Sequence, residues 1–277
     1  MKRAFVLSGG ASLGAIQVGM LKALEAHDIR PDLIVGTSVG AINGAFLASR
    51  PFDRTTVDEL AELWLGLSRG RVFPIEPLTG LLGFLGARKN LVPVGPLRRL
   101  VSGHVQFDRL EELPTPLHVI ACDVMTGQEV RLGSGPLVDA VMASAAIPGV
   151  FPPVDWDDRL LIDGGVLNNT PIGHALELGA DEVLVLSANA ACELEAPPRG
   201  ALGMVVQATA LMVAHRFTDE AVALAERSDV IVIPAPCPVR TSPIDFRHTR
   251  DLIERSEATA NEFLAGRGGD LIPLRAA

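Results

Sequence analysis

The chain has 277 residues, enough for one large domain or two small ones, and 48% of them are apolar, enough to build a full core. The net charge of -9 argues against a nucleic-acid partner and against docking on anionic lipid by charge alone, so any transient membrane contact should be local and apolar. Three irregularly spaced cysteines, Cys122, Cys192 and Cys237, indicate neither a disulfide framework nor a zinc site.

The first fifty residues alternate strands with helices. An apolar run that ends in glycines predicts a buried strand at 3–8, and good helix formers follow at 14–27. Residues 32–36 and 39–49 repeat that order. Alternation of this kind favours parallel strand pairing with right-handed crossovers.

The stretch 51–113 breaks the alternation. It carries an amphipathic helix around Val57–Leu67 and a second helical segment at Pro96–Ser102. We interpret it as a cap-like helical insertion in a single domain spanning 1–277. Its Gly/Pro/Leu-rich piece at 74–96 contains an apolar cluster that is either ordinary core or an acyl-facing flap.

The remaining pattern resumes the alternation of strands and helices and ends in a helix. Strands are predicted at 117–123, 129–132, 159–163, 182–187 and 229–233. Helices are predicted at 136–146, from Thr170-Pro171 to Gly179, at 201–226 and at 249–265. With no apolar run of 18 residues, we expect a cytoplasmic protein, at most peripheral at a membrane.

Two glycine-containing turns lie between a predicted strand and a predicted helix. Residues 9–14 (Gly-Gly-Ala-Ser-Leu-Gly) would present backbone amides at a helix start, where an anion binds readily. Residues 36–40 (Gly-Thr-Ser-Val-Gly) match the nucleophile elbow, a sharp turn that exposes Ser38 beside the amide of Val39. Each pattern has a plain structural reading when it occurs alone.

Asp163 ends another apolar strand and is followed by two glycines. A carboxylate there would lie at the edge where open α/β sheets place their sites. None of the six histidines carries a local signature of a catalytic base. A partly dehydrated aspartate is a stronger base than usual, so a Ser-Asp pair is chemically sufficient. Asn168 and Asn169 either order the loop around Asp163 or are simple turn residues.

The blocks at 9–14, 36–40 and 163–165 occur in the order seen in the patatin-like phospholipase family, which this chain resembles. The segments 143–153 and 167–171, on either side of Asp163, resemble the same family. The resemblance extends over about residues 3–187. It departs at the glycine loop, where Ala11 replaces a third glycine and Leu13 replaces a basic residue.

That resemblance implies an α/β fold, a three-layer α/β/α sandwich with a mostly parallel central sheet. It implies that Ser38 is the nucleophile and Asp163 the base, with neither metal nor cofactor. The expected oxyanion hole consists of the amides of Gly9, Gly10 and Ala11, to which the elbow adds that of Val39. The implied function is a serine acyl hydrolase that cleaves carboxylic esters of lipids, and the loss of the basic residue favours neutral esters.

Three alternatives remain open at this point. One is a Ser-His-Asp α/β-hydrolase, in which the elbow usually follows more strands than it does here. Another is a nucleotide-binding module built on residues 9–14, and the third is a lipid-binding protein without turnover. A histidine base titrates near pH 6.5, so a Ser-Asp enzyme is expected to stay active below that value. The sequence indicates neither the acyl chain nor the oligomeric state.

Overall fold

The computed structural model describes residues 1–74, 76, 86–87, 89–188, 200, 204, 208, 211, 229–239 and 241–266. The apolar residues predicted at 78–85 lie outside these ranges. So does nearly all of the helix predicted at 201–226.

An eight-stranded sheet forms the middle of the molecule. Its strands are β1 (Arg3–Leu7), β2 (Leu33–Thr37), β3 (Leu117–Asp123), β4 (Glu129–Leu132), β5 (Val154–Trp156), β6 (Arg159–Asp163), β7 (Glu182–Leu186) and β8 (Asp229–Ile233). Their order is β5-β6-β3-β2-β1-β7-β8, with β4 paired to β3. The five neighbouring strands β3, β2, β1, β7 and β8 pair in parallel. On the other side of β3, the pairs β3–β4, β3–β6 and β5–β6 are antiparallel.

Helices cover both faces of this sheet. They are α1 (Gly14–Ala26), α2 (Val39–Ala48), α3 (Arg54–Leu65), α4 (Arg69–Val72), α5 (Gly95–Ser102), α6 (Leu137–Ser144), α7 (Ile172–Glu177) and α8 (Thr249–Gly266). Short 3-10 turns occur at Ala11–Leu13, Leu110–Glu112 and Gly164–Val166. In the part of the chain that the structure describes, no helix is both long and apolar enough to cross a membrane.

The central strand β1 explains why the sandwich has three layers. Phe5 and Leu7 point into the larger core, with α1, α2 and α3, while Ala4 and Val6 point into a smaller one that includes α7. All four side chains are buried. A strand covered on both faces needs a continuous apolar run, which is the pattern that the sequence shows.

The predicted three-layer α/β/α fold with a mostly parallel sheet is confirmed. Two local differences have simple causes. The strand Val154–Trp156 was not predicted, because three partly exposed residues carry too little apolar periodicity. The helix after Thr170 begins at Ile172, so that Pro171 is its N-cap and not its first residue.

The cysteines differ from one another. Cys122 is buried and free, in agreement with the sequence. Cys237 is disulfide-bonded, which the irregular spacing did not indicate. Spacing along the chain carries no information on which thiols the fold brings together.

Two glycines allow the elbow to pack against the sheet. A Cβ on Gly40 would lie 2.1 Å from the carbonyl oxygen of Leu7 in β1, and one on Gly36 would lie 2.6 Å from that of Gly40. Both contacts are with backbone, which cannot swing aside. The first turn of α2 therefore lies directly on β1, and Ser38 is held at that junction.

Replacing Gly40 with alanine should destabilise the protein severely, because its methyl group would overlap the backbone of Leu7. We expect a loss of about 3 kcal/mol or more in the free energy of unfolding, measured by urea denaturation. Gly70→Ala is the matched control, since a Cβ there meets nothing within 4 Å. Equal stability of the two variants would contradict the packing described here.

Candidate active site

Ser38 occupies a strained backbone conformation between β2 and α2. Its φ of 55° and ψ of -121° lie outside the regions that L-residues prefer. The amide of Ser38 donates to Ser144 Oγ at 2.9 Å, and Ser144 Oγ in turn donates to the carbonyl of Ile120 at 2.6 Å. A buried serine from α6 thus holds the turn.

Sequence reasoning assigned Ser144 no role of its own, although it lies in the segment that resembles the patatin-like family. The signal is weak, because a serine near the end of a helix is usually a capping residue. Only the contact with Ser38 reveals its function in the turn.

The register of the sheet brings Asp163 opposite the elbow. Thr37 at the end of β2 pairs with Ile120, and Asp163 pairs with Ala121, the next residue of β3. Although β6 is antiparallel to β3, this register places Asp163 level with the residue that follows Thr37, at the carboxyl end of the parallel strand β2. It reaches Ser38 across the single intervening strand.

A short hydrogen bond joins the two side chains. Ser38 Oγ donates to Asp163 Oδ2 at 2.6 Å, and the amide of Gly165 donates to Asp163 Oδ1 at 2.8 Å. The two residues are only 7% and 6% exposed. Both carboxylate oxygens are therefore engaged, and one of them faces the hydroxyl.

Burial changes the acidity of this carboxyl group. Desolvation raises the pKa of Asp163 to about 6, although the hydrogen bonds from Ser38 and Gly165 act in the opposite direction. A carboxylate with this pKa accepts a proton more readily than a solvated one, yet it is mostly ionised at pH 7. It has the properties that a general base requires.

The glycine loop after β1 lies beside the pair. Its turn places Ala11 at φ 51°, in the left-handed region, and a Cβ on Gly10 would lie 2.6 Å from the side chain of Ala188. Among the described residues, no hydrogen bond engages the amides of Gly10, Ala11 or Val39. The Gly9 amide donates to the carbonyl of Asn169 at 3.0 Å, and so differs from the other three.

Two asparagines connect the loops. Asn169 Nδ2 donates to the carbonyl of Gly9 at 3.3 Å, which ties the segment after Asp163 to the glycine loop. Asn168 Nδ2 donates to Glu129 Oε2 at 2.9 Å, and its carbonyl accepts from Thr37 Oγ1. Both side chains thus order the loop, the first of the two interpretations given above.

The histidines lie apart from this pair. Of the five in the described part of the chain, none hydrogen-bonds to Ser38 or Asp163. His174 pairs with Glu129, and His104 contacts the carbonyl of Leu100. Burial lowers the pKa of His118, whose Nδ1 has no hydrogen-bond partner. His215 lies outside the described residues.

No group of three or more His, Cys, Asp or Glu in the described ranges is placed to hold a metal ion. The titratable side chain that contacts Ser38 is that of Asp163.

An apolar pocket opens from Ser38. Its walls are almost entirely apolar, and its mouth is open to solvent. Three helices each contribute one face with the spacing i, i+3, i+4, i+7. Helix α2 contributes residues 39, 42, 43 and 46. Helix α3 and the residues just after it contribute 60, 63, 64 and 67, and α5 and the residues just after it contribute 97, 100, 101 and 104. Phe73, Phe151 and Phe246 complete an aromatic wall with Trp64.

The fold and the site can be compared with known proteins. A family model described as patatin-like phospholipase matches residues 5–176, more than half of the chain. The matched range includes the elbow, Asp163 and the glycine loop. The chain belongs to the patatin-like phospholipase family.

Relatives are about a third identical to this chain over the segments that align. An uncharacterized NTE family protein of Mycobacterium tuberculosis is 33% identical over 187 residues, 67% of this chain and 49% of the relative. Patatin-like phospholipase domain-containing protein 7 of Mus musculus is 31% identical over 189 residues, 66% of this chain and 13% of the relative. The chain thus spans about half the length of the mycobacterial relative.

Solved structures with a similar fold have low sequence identity. VipD from Legionella pneumophila has a TM-score of 0.49 at 16% identity, over 96% of this chain and 67% of that one. Human GIVD cytosolic phospholipase A2, in complex with methyl gamma-linolenyl fluorophosphonate, has a TM-score of 0.47 at 13% identity, over 96% and 58%.

Replacing Asp163 with asparagine should stabilise the protein at pH 8. The folded-state pKa lies above the unfolded value of 3.8, so folding is favoured below pH 4 and loses that advantage as the pH rises through 6. The neutral amide avoids that loss, at most about 3 kcal/mol. Its oxygen can accept from Gly165 while its NH₂ donates to Ser38 Oγ. Thermal melting at pH 8 and pH 4 measures the difference.

The control for this prediction is Asp245→Asn. Arg247 holds the pKa of Asp245 below its usual range, so the ionised Asp245 contributes to stability above pH 4. Asp245→Asn should therefore show no increase in melting temperature at pH 8. A fall in melting temperature for Asp163→Asn at pH 8 would contradict the proposed cost of burying the charge.

Proposed function

We propose that this chain is a serine acyl hydrolase that cleaves carboxylic esters of lipids through an acyl-enzyme. The observation that carries the proposal is the 2.6 Å hydrogen bond from Ser38 Oγ to the buried carboxylate of Asp163. Membership of the patatin-like phospholipase family supports it. So does the apolar pocket that begins at the same serine.

In the first step, Asp163 Oδ2 takes the proton of Ser38 as Ser38 Oγ attacks the carbonyl carbon of the ester. The bond from Oγ to carbon forms and the carbonyl oxygen becomes an oxyanion. The ester C–O bond then breaks, and the leaving alkoxide takes the proton from Asp163. The alcohol departs and the acyl group remains on Ser38.

In the second step, a water molecule replaces the alcohol. Asp163 accepts a proton from the water as its oxygen attacks the acyl carbon. The tetrahedral intermediate releases Ser38 Oγ, which recovers the proton from Asp163. The products are a carboxylic acid and the free enzyme.

The oxyanion hole of this proposal consists of the amides of Gly10, Ala11 and Val39. Their N–H groups lie at the starts of two helical segments, and none has a partner in the described structure. One such donor typically contributes roughly 3 kcal/mol to catalysis. Gly9 was included in the sequence prediction, but its donation to Asn169 gives it a role in positioning the loop.

The substrate's acyl group would occupy the apolar pocket, which is walled by the helices of the proposed cap at 51–113. Leu13 is buried where many relatives in the family would carry a basic residue. A neutral ester therefore fits the site better than a phosphate-bearing one. No nucleic-acid partner is proposed, given the net charge of -9.

A brief contact with a lipid surface is part of the proposal. Val166, three residues after Asp163, is 55% exposed, and Ile244, two residues before the pocket-lining Phe246, is 42% exposed. Transfer of either side chain from water into an apolar phase is favourable in free energy. The cytoplasmic location expected from the sequence stays a prediction. The disulfide at Cys237 argues against it, because disulfides are rare in the reducing cytosol.

Reaction with a fluorophosphonate probe, followed by mass spectrometry, tests the nucleophile. We expect labelling at Ser38 in the wild type, none in Ser38→Ala, and at least 100-fold slower labelling in Asp163→Asn, since loss of a general base typically costs about 10²–10⁴. Ser102→Ala, on the exposed end of α5, should label like the wild type. Normal labelling of Asp163→Asn would refute the assignment of the base.

The pH dependence of kcat/KM should show an acid limb near pH 6, because the reaction requires ionised Asp163 and its pKa is raised to about 6. At pH 5 activity should fall to about a tenth of its plateau. This limb lies so close to that of a histidine that pH alone does not separate the two bases. Variants without a histidine separate them. If Asp163 is the base, His118→Gln and His248→Gln should keep the acid limb, and its loss in either variant would favour a histidine base.

A further inference from the structure

The apolar pocket extends from Ser38 along one face of α2. Four pocket-lining residues, Val39, Ile42, Asn43 and Phe46, share one face of this helix. Val39 follows the nucleophile directly, whereas Phe46 lies seven residues further along. At ~1.5 Å per residue, Phe46 is about 10 Å from the nucleophile end of the pocket.

Arg50, one helical turn beyond Phe46, packs behind the Phe46 ring without lining the pocket itself. Its guanidinium carbon lies 3.9 Å from the centroid of the Phe46 ring. Its Nη1 donates to the carbonyl of Phe46 at 3.1 Å and to that of His104 at 2.8 Å. Its Nε lies 3.6 Å from Glu59 Oε2 on α3.

These contacts fasten together the three helical segments that wall the pocket. The Arg50 side chain is only 13% exposed, and burial lowers its pKa. It is held by two carbonyls and a carboxylate, so a lengthening acyl chain would not displace it readily. The ring of Phe46, backed by this guanidinium, therefore forms a fixed floor.

We propose that Phe46 determines acyl-chain length in this protein and that the preferred substrates are esters of unbranched medium-chain acids. An extended chain advances about 1.2 Å per bond, so a pocket of about 10 Å accepts an acyl group of about 8 to 10 carbons. This inference rests on the proposed function, because it places the acyl carbon at Ser38. It adds a substrate class and the residue that sets it.

The pocket also offers a site for the reciprocal change. Ile42 lies one turn closer to Ser38 than Phe46 and is only partly buried, because it faces the open space. A larger side chain there would occupy the pocket without overlapping the sheet. Ile42→Trp should therefore shorten the pocket, whereas Phe46→Ala should lengthen it.

The test is kcat/KM for p-nitrophenyl esters of 2 to 16 carbons, kept below their micelle concentrations. In the wild type each added methylene should raise kcat/KM by up to about fourfold, until the chain meets Phe46 near 8 to 10 carbons. Beyond that length kcat/KM should fall. The optimum should move to longer chains in Phe46→Ala and to shorter ones in Ile42→Trp.

Phe52→Ala is the matched control. Phe52 is buried and packs edge-on against Phe5 at 5.6 Å, but it does not line the pocket. This variant should lose stability and keep the wild-type optimum. If Phe46→Ala fails to fold, Ile42→Trp alone decides the question, because an unchanged optimum in that variant overturns the proposal.

A series of alkyl fluorophosphonates separates this inference from the proposed function. Labelling of Ser38 with the same dependence on chain length supports both. Labelling that increases steadily to 16 carbons, or is equal at all lengths, overturns the chain-length assignment and leaves the nucleophile in place. Absence of labelling at every length overturns the proposed function and the inference with it.

Discussion

The hydrogen bond between Ser38 and Asp163 depends on keeping a carboxylate almost entirely out of water. Burial raises the pKa of Asp163 to about 6, and the cost of the charge is only partly offset by the two donors that contact it. The rest of the fold must supply the stability to hold this group in place. The surrounding sheet, buried on both faces, provides that support.

Close packing of backbone against backbone is what positions Ser38. The strained turn at Ser38 persists because α2 rests on β1 through Gly40, and because Ser144 satisfies the Ser38 amide. The asparagines after Asp163 then tie its loop to Glu129 and to the glycine loop. Three loops from distant parts of the chain are thus locked to one another around the pair.

The helices between 51 and 113 use the same amphipathic pattern as core helices, yet part of their apolar surface lines a pocket. Trp64 illustrates this double role, because its indole Nε1 donates to Asn43 at 2.9 Å while its ring faces the pocket. A protein core and an apolar pocket both favour apolar side chains at these positions. Arg50 joins these helices through its contacts with Phe46, His104 and Glu59.

Local patterns in the sequence determined the layered α/β fold, most of its elements, and the three motifs that carry chemistry. They could do so because apolar periodicity, glycine-flanked turns and strand–turn–helix order are properties of neighbouring residues. Tertiary structure alone decided that Asp163 faces Ser38 through an antiparallel register, that Ser144 holds the turn, and that Phe46 lines the same pocket as Ser38. Each of these relations joins side chains that are far apart in the chain or separated by whole helical turns. Their distances depend on strand pairing and helix packing, which no short stretch of sequence specifies.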